Sequence, residues 1–387
     1  MTDAQNWVSA NARPLGDFGP VIAAAQDAAV VGIGENTREA AEIDHHRIRL
    51  ARELVEHAGY RVIVVPDSAN VGERMDEYVL GSRSDLREIV LSGWLPNRTK
   101  ATEGLLEWVR AFNEGNEGDP VRIVGNGPRQ AEPADYDAVL AYAEKADPEA
   151  ASAIAKLYDV IRTAHEVNEH IQIHKGVHPG RPFSESAEEA AVLVGRLPDG
   201  EGKDEARGRA GLIGEFHGAS VAAQQNFNDM TRGIADRILK AHEESGRKVV
   251  YMDGFALTGV VSDVEVAVKP GERFSGAGKW LRDRFGERYV SVLFAFGRGT
   301  IRDGMRVPIA QEGNVERALV DAGAGDVLLP FRGTDGAWAD GSFGLRVVAG
   351  IYEPEDDEKF SMDIASLRES VDYLGFVDTV SETALLE

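Results

Sequence analysis

Three acids fall where strands should end. Gly34-Glu35 closes the apolar stretch Ala28–Ile33, Asp67 follows Arg61–Val65 and Pro66, and Asp253 follows Lys248–Met252. A strand that stops in an acid delivers that side chain to the rim of a sheet, where open α/β folds bind ligands. Arg38 and Arg47 follow Glu35 closely enough to share its end of the fold. Carboxylates in a covered pocket rise in pKa and serve as general acid or base. Guanidiniums hold a substrate carboxylate or a developing oxyanion. Glu35, Arg38, Arg47, Asp67 and Asp253 are therefore the catalytic candidates, suited to hydrolysis, elimination, isomerisation or cyclisation. The alternative is a buried salt-bridge network with no part in chemistry.

Histidines widen the choice. His45 and His46 lie on the helical stretch after Glu35, and with an ordinary pKa near 6.5 either can act as a base if it faces the pocket. His46 joins the catalytic candidates and His45 the substrate contacts; the alternative for both is an exposed or capping position. His170 and His174 are four residues apart and share a helix face if the helix persists, which makes them candidate substrate contacts. No Glu follows His170 as in a zincin, so no metal site is expected, and a metal-dependent hydrolase is the weaker alternative. Arg298, in Gly297-Arg298-Gly299-Thr300, is a further substrate-contact candidate on what reads as a glycine-rich turn. Neither that turn nor Gly125-Asn126-Gly127-Pro128 has dinucleotide or P-loop spacing, so no cofactor is called for. Trp94 and Trp280 read as packing residues.

The elements that must position these groups alternate. Strand-like runs at Ala28–Ile33, Arg61–Val65, Val121–Val124, Lys248–Met252 and Tyr289–Phe296 have helical patterns between them, which predicts an α/β fold with a mostly parallel β-sheet flanked by helices. Between the third and fourth runs lie helical patterns at Ala131–Ala146, Pro148–Gln172, Ser184–Val194 and Ala219–Ser245, predicting a large helical cap inserted between strands. The expected organisation is 20–130 for the first part of the α/β core, 131–246 for the cap and 247–387 for the second part of the core. Tyr373–Phe376 reads as a late edge strand.

Bulk composition narrows the partners. The chain has 387 residues, is 43% hydrophobic and carries a net charge of -23. That acidity opposes binding to nucleic acid or anionic membranes and leaves a small-molecule substrate as the expected partner. There is no cysteine, which excludes disulfides and thiolate chemistry. Met1–Gly19 lacks an apolar signal region, and no run approaches a membrane span, so a cytoplasmic protein is expected. Nothing in the sequence sets an oligomeric state.

The order of these segments resembles the erythromycin-esterase-like family. Its first motif, typically Gly-Glu-Ala-Thr-His-Gly, is matched at its start by Gly34-Glu35-Asn36-Thr37, and Arg47 falls on the family arginine. Leu54-Val55-Glu56, Gly59-Tyr60-Arg61, Leu105–Asn113, Val121-Arg122 with Gly125, Arg282-Phe285-Gly286 and Ile351-Tyr352-Glu353-Pro354-Glu355 follow in register, covering roughly 27–379. The resemblance implies a pocket for a small natural-product-like molecule and a histidine that activates water against an ester or lactone. That histidine aligns with Arg38, the family glutamate with Pro66 beside Asp67, and the later histidine pair with Asp253 and Ala256. Arginine does not give up its proton in proteins. The implied reading is a family enzyme with a remodelled acid–base site; the alternative is a ligand-binding or self-resistance protein without turnover.

Overall fold

The computed structural model describes residues 3–165, 180–218, 226–267, 270–348, 350 and 352–386. The strands are β1 (Arg13–Pro14), β2 (Val30–Glu35), β3 (Tyr60–Val65), β4 (Arg122–Gly125), β5 (Lys248–Gly254), β6 (Tyr289–Ile301), β7 (Met305–Val307), β8 (Val327–Pro330), β9 (Phe343–Arg346), β10 (Ser361–Ile364) and β11 (Tyr373–Val380). Among the described residues, nine form one sheet in the order β1-β8-β11-β6-β2-β5-β3-β4, with β7 paired to the far end of β6. Strands β11, β6, β2, β5, β3 and β4 run parallel, while β8 and β7 pair antiparallel. The expected α/β class and mostly parallel sheet are present.

Side chains alternate between the two faces of the sheet, as a pleated strand requires. Val31 and Ile33 of β2, Val250 and Met252 of β5 and Val292 and Phe294 of β6 share one core with the helices Ala41–Ala58, Ala69–Val79 and Lys100–Glu114. Val30, Val249 and Tyr251 face the other way, against the helices Phe227–Ser245 and Ala277–Phe285. Each fully buried Val or Ile contributes about 1.5–3 kcal/mol, so this double-sided burial holds the strand ends firmly in place. The helix Ala41–Ala58 buries Ile43, Arg47, Leu50, Ala51, Leu54, Val55 and Ala58. Arg47 thus occupies a position in the apolar stripe, and His46 lies one position off it.

Two sequence expectations change. Tyr373–Phe376 is not an edge strand: β11 runs Tyr373–Val380, parallel to β6 on one side and antiparallel to β8 on the other. The short run Val327–Pro330 supplies the neighbour that periodicity did not reveal. Gly297-Arg298-Gly299-Thr300 is not a turn either, because β6 continues to Ile301, paired by β11 and then by β7.

The chain divides into two compact units, 1–127 with 227–387, and 128–226. The helix Phe227–Ser245, read from the sequence as part of the insertion, groups with the sheet, where Ile234, Ala235 and Ile238 are buried. The second unit holds the helices Pro133–Ala146, Pro148–Ile161, Phe183–Arg196 and Lys203–Gly218 around Tyr136, Ile154, Tyr158, Phe183 and Ile213. Asp147 caps the second of these by accepting from the Glu149 and Ala150 amides at 3.0 and 3.1 Å. Within that unit His217 is fully buried beside the Tyr136 hydroxyl at 2.9 Å. No helix among the described residues is long and apolar enough to cross a membrane.

Candidate active site

Glu35 ends β2 in register with Gly254 of β5 and Phe294 of β6. Its side chain continues the Val31–Ile33 row and points to the face of the helix Ala41–Ala58. Asp253 continues the Val249–Tyr251 row and points to the opposite face. The two acids therefore stand on opposite sides of the sheet rim, and Arg38 spans it. Arg38 Nε donates to Glu35 Oε1 at 2.7 Å, and its Nη2 donates to Asp253 Oδ1. Arg47 Nη2 approaches Glu35 Oε2 to 2.6 Å from the helix side. Glycine makes room for this arrangement: a Cβ on Gly34 would stand 2.3 Å from Thr258 Oγ1 and 3.0 Å from Phe255 Cα, so only glycine admits the short helix Phe255–Thr258 against β2.

The surroundings are dry and charged. Glu35 and Asp253 are each 2% exposed and Arg47 6%, whereas the Arg38 side chain keeps 20%. Burial raises the Glu35 carboxyl above its ordinary range, against the downward pull of Arg47 and then Arg38. The Arg47 contact is close but is not aligned as a hydrogen bond, and no protein donor is aligned on the buried Oε2 of Glu35. Oε1 is thus held while Oε2 keeps an acceptor free. Asp44, on the same helix, lies 3.8 Å from Arg47 and accepts from the Thr383 hydroxyl at 2.6 Å.

Asp253 collects three further donors, two from its own strand and one from the segment after β4. The Gly254 amide reaches Oδ1 at 2.8 Å, and on Oδ2 it accepts from Asn126 Nδ2 at 2.5 Å and from the Tyr251 hydroxyl at 3.2 Å. Burial, then the Asp253 charge, pushes the Tyr251 phenol well above its usual range, so it stays protonated and donating. Asn126 follows β4, and its carbonyl accepts from Arg237 Nε on the helix Phe227–Ser245. Gly125 permits the close approach there, since a Cβ would lie 2.2 Å from the Ser68 carbonyl oxygen.

The remaining sequence candidates are placed as follows. Asp67 makes no ion pair with the cluster. It accepts from the Ser68 and Trp94 amides at 2.9 and 3.0 Å and from Asn97 Nδ2 at 3.1 Å, and burial raises its carboxyl. It pins the segment that lays the Trp94 ring against the Arg38 guanidinium, 4.5 Å from the ring centroid. His46 stacks on Phe294 with ring centroids 6.2 Å apart, and His45 is exposed beside it. His46 thus packs on the strand neighbour of Glu35, about 100° round the helix from Arg47, which reaches Glu35 itself. Burial, then the neighbouring His45 and Arg49 charges, lowers His46 to about 4. Arg298 projects from β6 and pairs with Asp378 at 2.9 Å. It lines a shallow surface groove of 520 Å³ with Arg306, Thr300 and Thr379. His170 and His174 lie outside the described residues. Among the described residues, no group of three or more histidines and acids could hold a metal ion.

Sequence reasoning missed Asn126, Tyr251 and Trp94. Asn126 stood at a strand end like the acids and was readable by the same rule. Tyr251 shares a pleat face with Asp253 but reads as ordinary strand core. Nothing local marks Trp94, which is 47% exposed. A cavity of 60 Å³ beside this cluster is lined by Arg38, Arg47, Asp44, Pro66, Asn97 and Met252 with other, mainly apolar, side chains.

Comparison with known proteins places this arrangement. A solved succinoglycan biosynthesis protein superimposes with a TM-score of 0.69 at 18% identity, covering 99% of this chain and 98% of that one. A Bacillus cereus protein gives a TM-score of 0.66 at 18% identity over 100% of both chains. A mutant of the erythromycin esterase EreC in its open conformation gives 0.57 at 16% identity, over 96% and 95%. At these identities the likeness shows the fold alone. No curated protein matches the sequence. The erythromycin esterase family model matches residues 55–380, most of the chain, and the protein belongs to that family.

Proposed function

We propose that the chain is an enzyme of remodelled site within its family, acting on a small natural-product-like molecule by carboxylate and arginine acid–base chemistry. Glu35 is the proton acceptor and donor, Arg38 and Arg47 hold a carbonyl or oxyanion as charge develops, and Asp253 fixes Arg38. The observation that carries this reading is Glu35 itself: a buried carboxyl of raised pKa with one oxygen clamped and the other without an aligned donor. A base needs one oxygen in reserve, and the two arginines that hold Glu35 line the adjoining cavity. Water attack on an ester or lactone is one outcome of this chemistry; elimination, isomerisation or cyclisation within secondary metabolism uses the same groups.

A second reading is a binding protein without turnover. It is favoured by the neutralisation of Arg38 and Arg47 by carboxylates, which makes a stable closed network. A panel of macrolides, simple lactones and activated esters, followed by mass spectrometry, separates the two. Turnover that falls about 100-fold or more in Glu35→Gln, with ligand affinity retained, supports the enzyme. Turnover that survives the substitution removes Glu35 from the mechanism. Binding with neither a mass change nor a chromatographically distinct isomer in the wild type supports the second reading.

A further inference from the structure

The three guanidiniums joined to this cluster differ in one respect. Arg38 and Arg47 are neutralised by Glu35 and Asp253. Arg237, on the helix Phe227–Ser245, has no carboxylate within ion-pair distance among the described residues; its recorded bond is from Nε to the Asn126 carbonyl. The residue is only partly exposed, and burial lowers its pKa, the mark of a charge short of compensation. A partly desolvated cation without a counter-ion is costly, and an anion recovers that cost.

Its position sets what the anion belongs to. Asn126, which accepts from Arg237, also donates to Asp253, which in turn holds Arg38. Arg237 is therefore three hydrogen bonds from the bridging arginine, through Asn126 and Asp253, and on the Asp253 side of the rim, opposite Glu35. With Nε engaged, the terminal Nη1 and Nη2 remain as a planar pair of donors, a geometry that matches two oxygens of one carboxylate or phosphate group.

We infer that Arg237 is the specificity residue for an oxyanion on the substrate, so that the natural substrate carries a carboxylate or phosphate-type group remote from its reacting centre. This rests on the acid–base reading above for the word substrate; the anion site itself does not need turnover. A net charge of -23 makes such a site conspicuous, because the field of the rest of the chain repels anions and only a local, uncompensated cation captures one.

Two measurements test the inference. Calorimetric titration with succinate and with inorganic phosphate should show binding by the wild type, weakened at least tenfold in Arg237→Gln and largely kept in Arg237→Lys, with circular dichroism confirming that each variant is folded. The stronger of the two anions identifies the group as carboxylate or phosphate. Equal binding by wild type and Arg237→Gln, or no binding of either anion, overturns the inference. The second measurement compares p-nitrophenyl acetate with the mono-p-nitrophenyl ester of succinate. The charged ester should be preferred through a lower KM, and the preference should fall at least tenfold in Arg237→Gln. Glu35-dependent turnover without that preference overturns the anion site and leaves the acid–base reading standing. Arg237-dependent anion binding without turnover of any ester leaves the anion site standing and removes ester hydrolysis from the acid–base reading.

Discussion

Two buried clusters of carboxylate and guanidinium flank one turn, and they are built to opposite ends. Glu35 belongs to the first, and its neighbour Asn36 belongs to the second. Asn36 Nδ2 and the Arg346 amide donate to Glu316 Oε1 at 3.3 and 3.0 Å. The Arg346 side chain, 1% exposed, spends its donors on the Gly297 and Pro308 carbonyls at 3.2 and 2.8 Å and on Asp357 at 3.0 Å. Tyr352 closes the far side of Asp357 at 2.7 Å. This second cluster ties β6, β9 and the segment before β10 together, with Glu316 fully buried and Arg346 nearly so. The Glu35 cluster instead adjoins a cavity and leaves its bridging arginine 20% exposed under Trp94, although both clusters keep one buried carboxylate oxygen, Glu35 Oε2 and Glu316 Oε2, without an aligned donor. Buried charge alone therefore does not mark a site. Nor does a spare acceptor, which Glu316 shares with Glu35; the adjoining cavity and the part-exposed arginine distinguish the Glu35 cluster, and the Arg346 cluster serves as the structural comparison within the same molecule.

The comparison can be broken from either side. The largest effect should come from Arg346→Met, which leaves Asp357 and Glu316 buried without their cation; unfolding stability should fall by about 3–5 kcal/mol, read from the urea midpoint. A loss below about 1 kcal/mol would show that this cluster is not a structural anchor. Next is the pH response of Glu316, which burial raises from 4.5 to about 7 despite Arg346. The folded state then binds the proton more tightly than the unfolded state. Its stabilising contribution is complete below about 4.5 and is lost as pH rises to about 7, a difference of roughly 3 kcal/mol. Glu316→Gln should match the wild type in melting temperature at pH 4.5 and exceed it at pH 8; parallel pH curves would remove the raised Glu316 from the account. Glu35→Gln reverses the pattern, with its main effect on turnover, as proposed above. A drop in turnover of the same size in Glu316→Gln and Glu35→Gln would erase the distinction between the clusters. The smallest effect is expected from Trp94→Ala. Loss of a cation–π contact worth about 0.5–1 kcal/mol should loosen Arg38 and lower kcat/KM by a few-fold, with the urea midpoint little changed.

The difference between the clusters also explains which residues could be read in advance. Glu35 and Asp253 each follow a strand-like run, so a rule about strand ends finds them without knowing the sheet order. Arg47 is legible because it interrupts the apolar stripe of its helix. Glu316 and Arg346 carry no such mark: one lies on a short helix, the other on a strand of four residues, and they meet only because β6 outlasts its neighbours. His46 shows what a local motif leaves open. A histidine beside the right motif is attractive chemistry, but a single residue step turned it onto Phe294.

By itself the sequence determined the α/β class, the strand ends that carry the acids and the family pattern, because these depend on local periodicity and on residue order. Tertiary structure alone decided that Glu35 and Asp253 stand on opposite faces of the rim with Arg38 across it. It also decided that β11 is an interior strand, that Asp67 fixes the Trp94 segment and that Arg237 has no acidic partner among the described residues. Each of these depends on which strands become neighbours and which way a pleat or helix turn points a side chain. Those are properties of contacts between residues up to hundreds of positions apart, which no local pattern encodes.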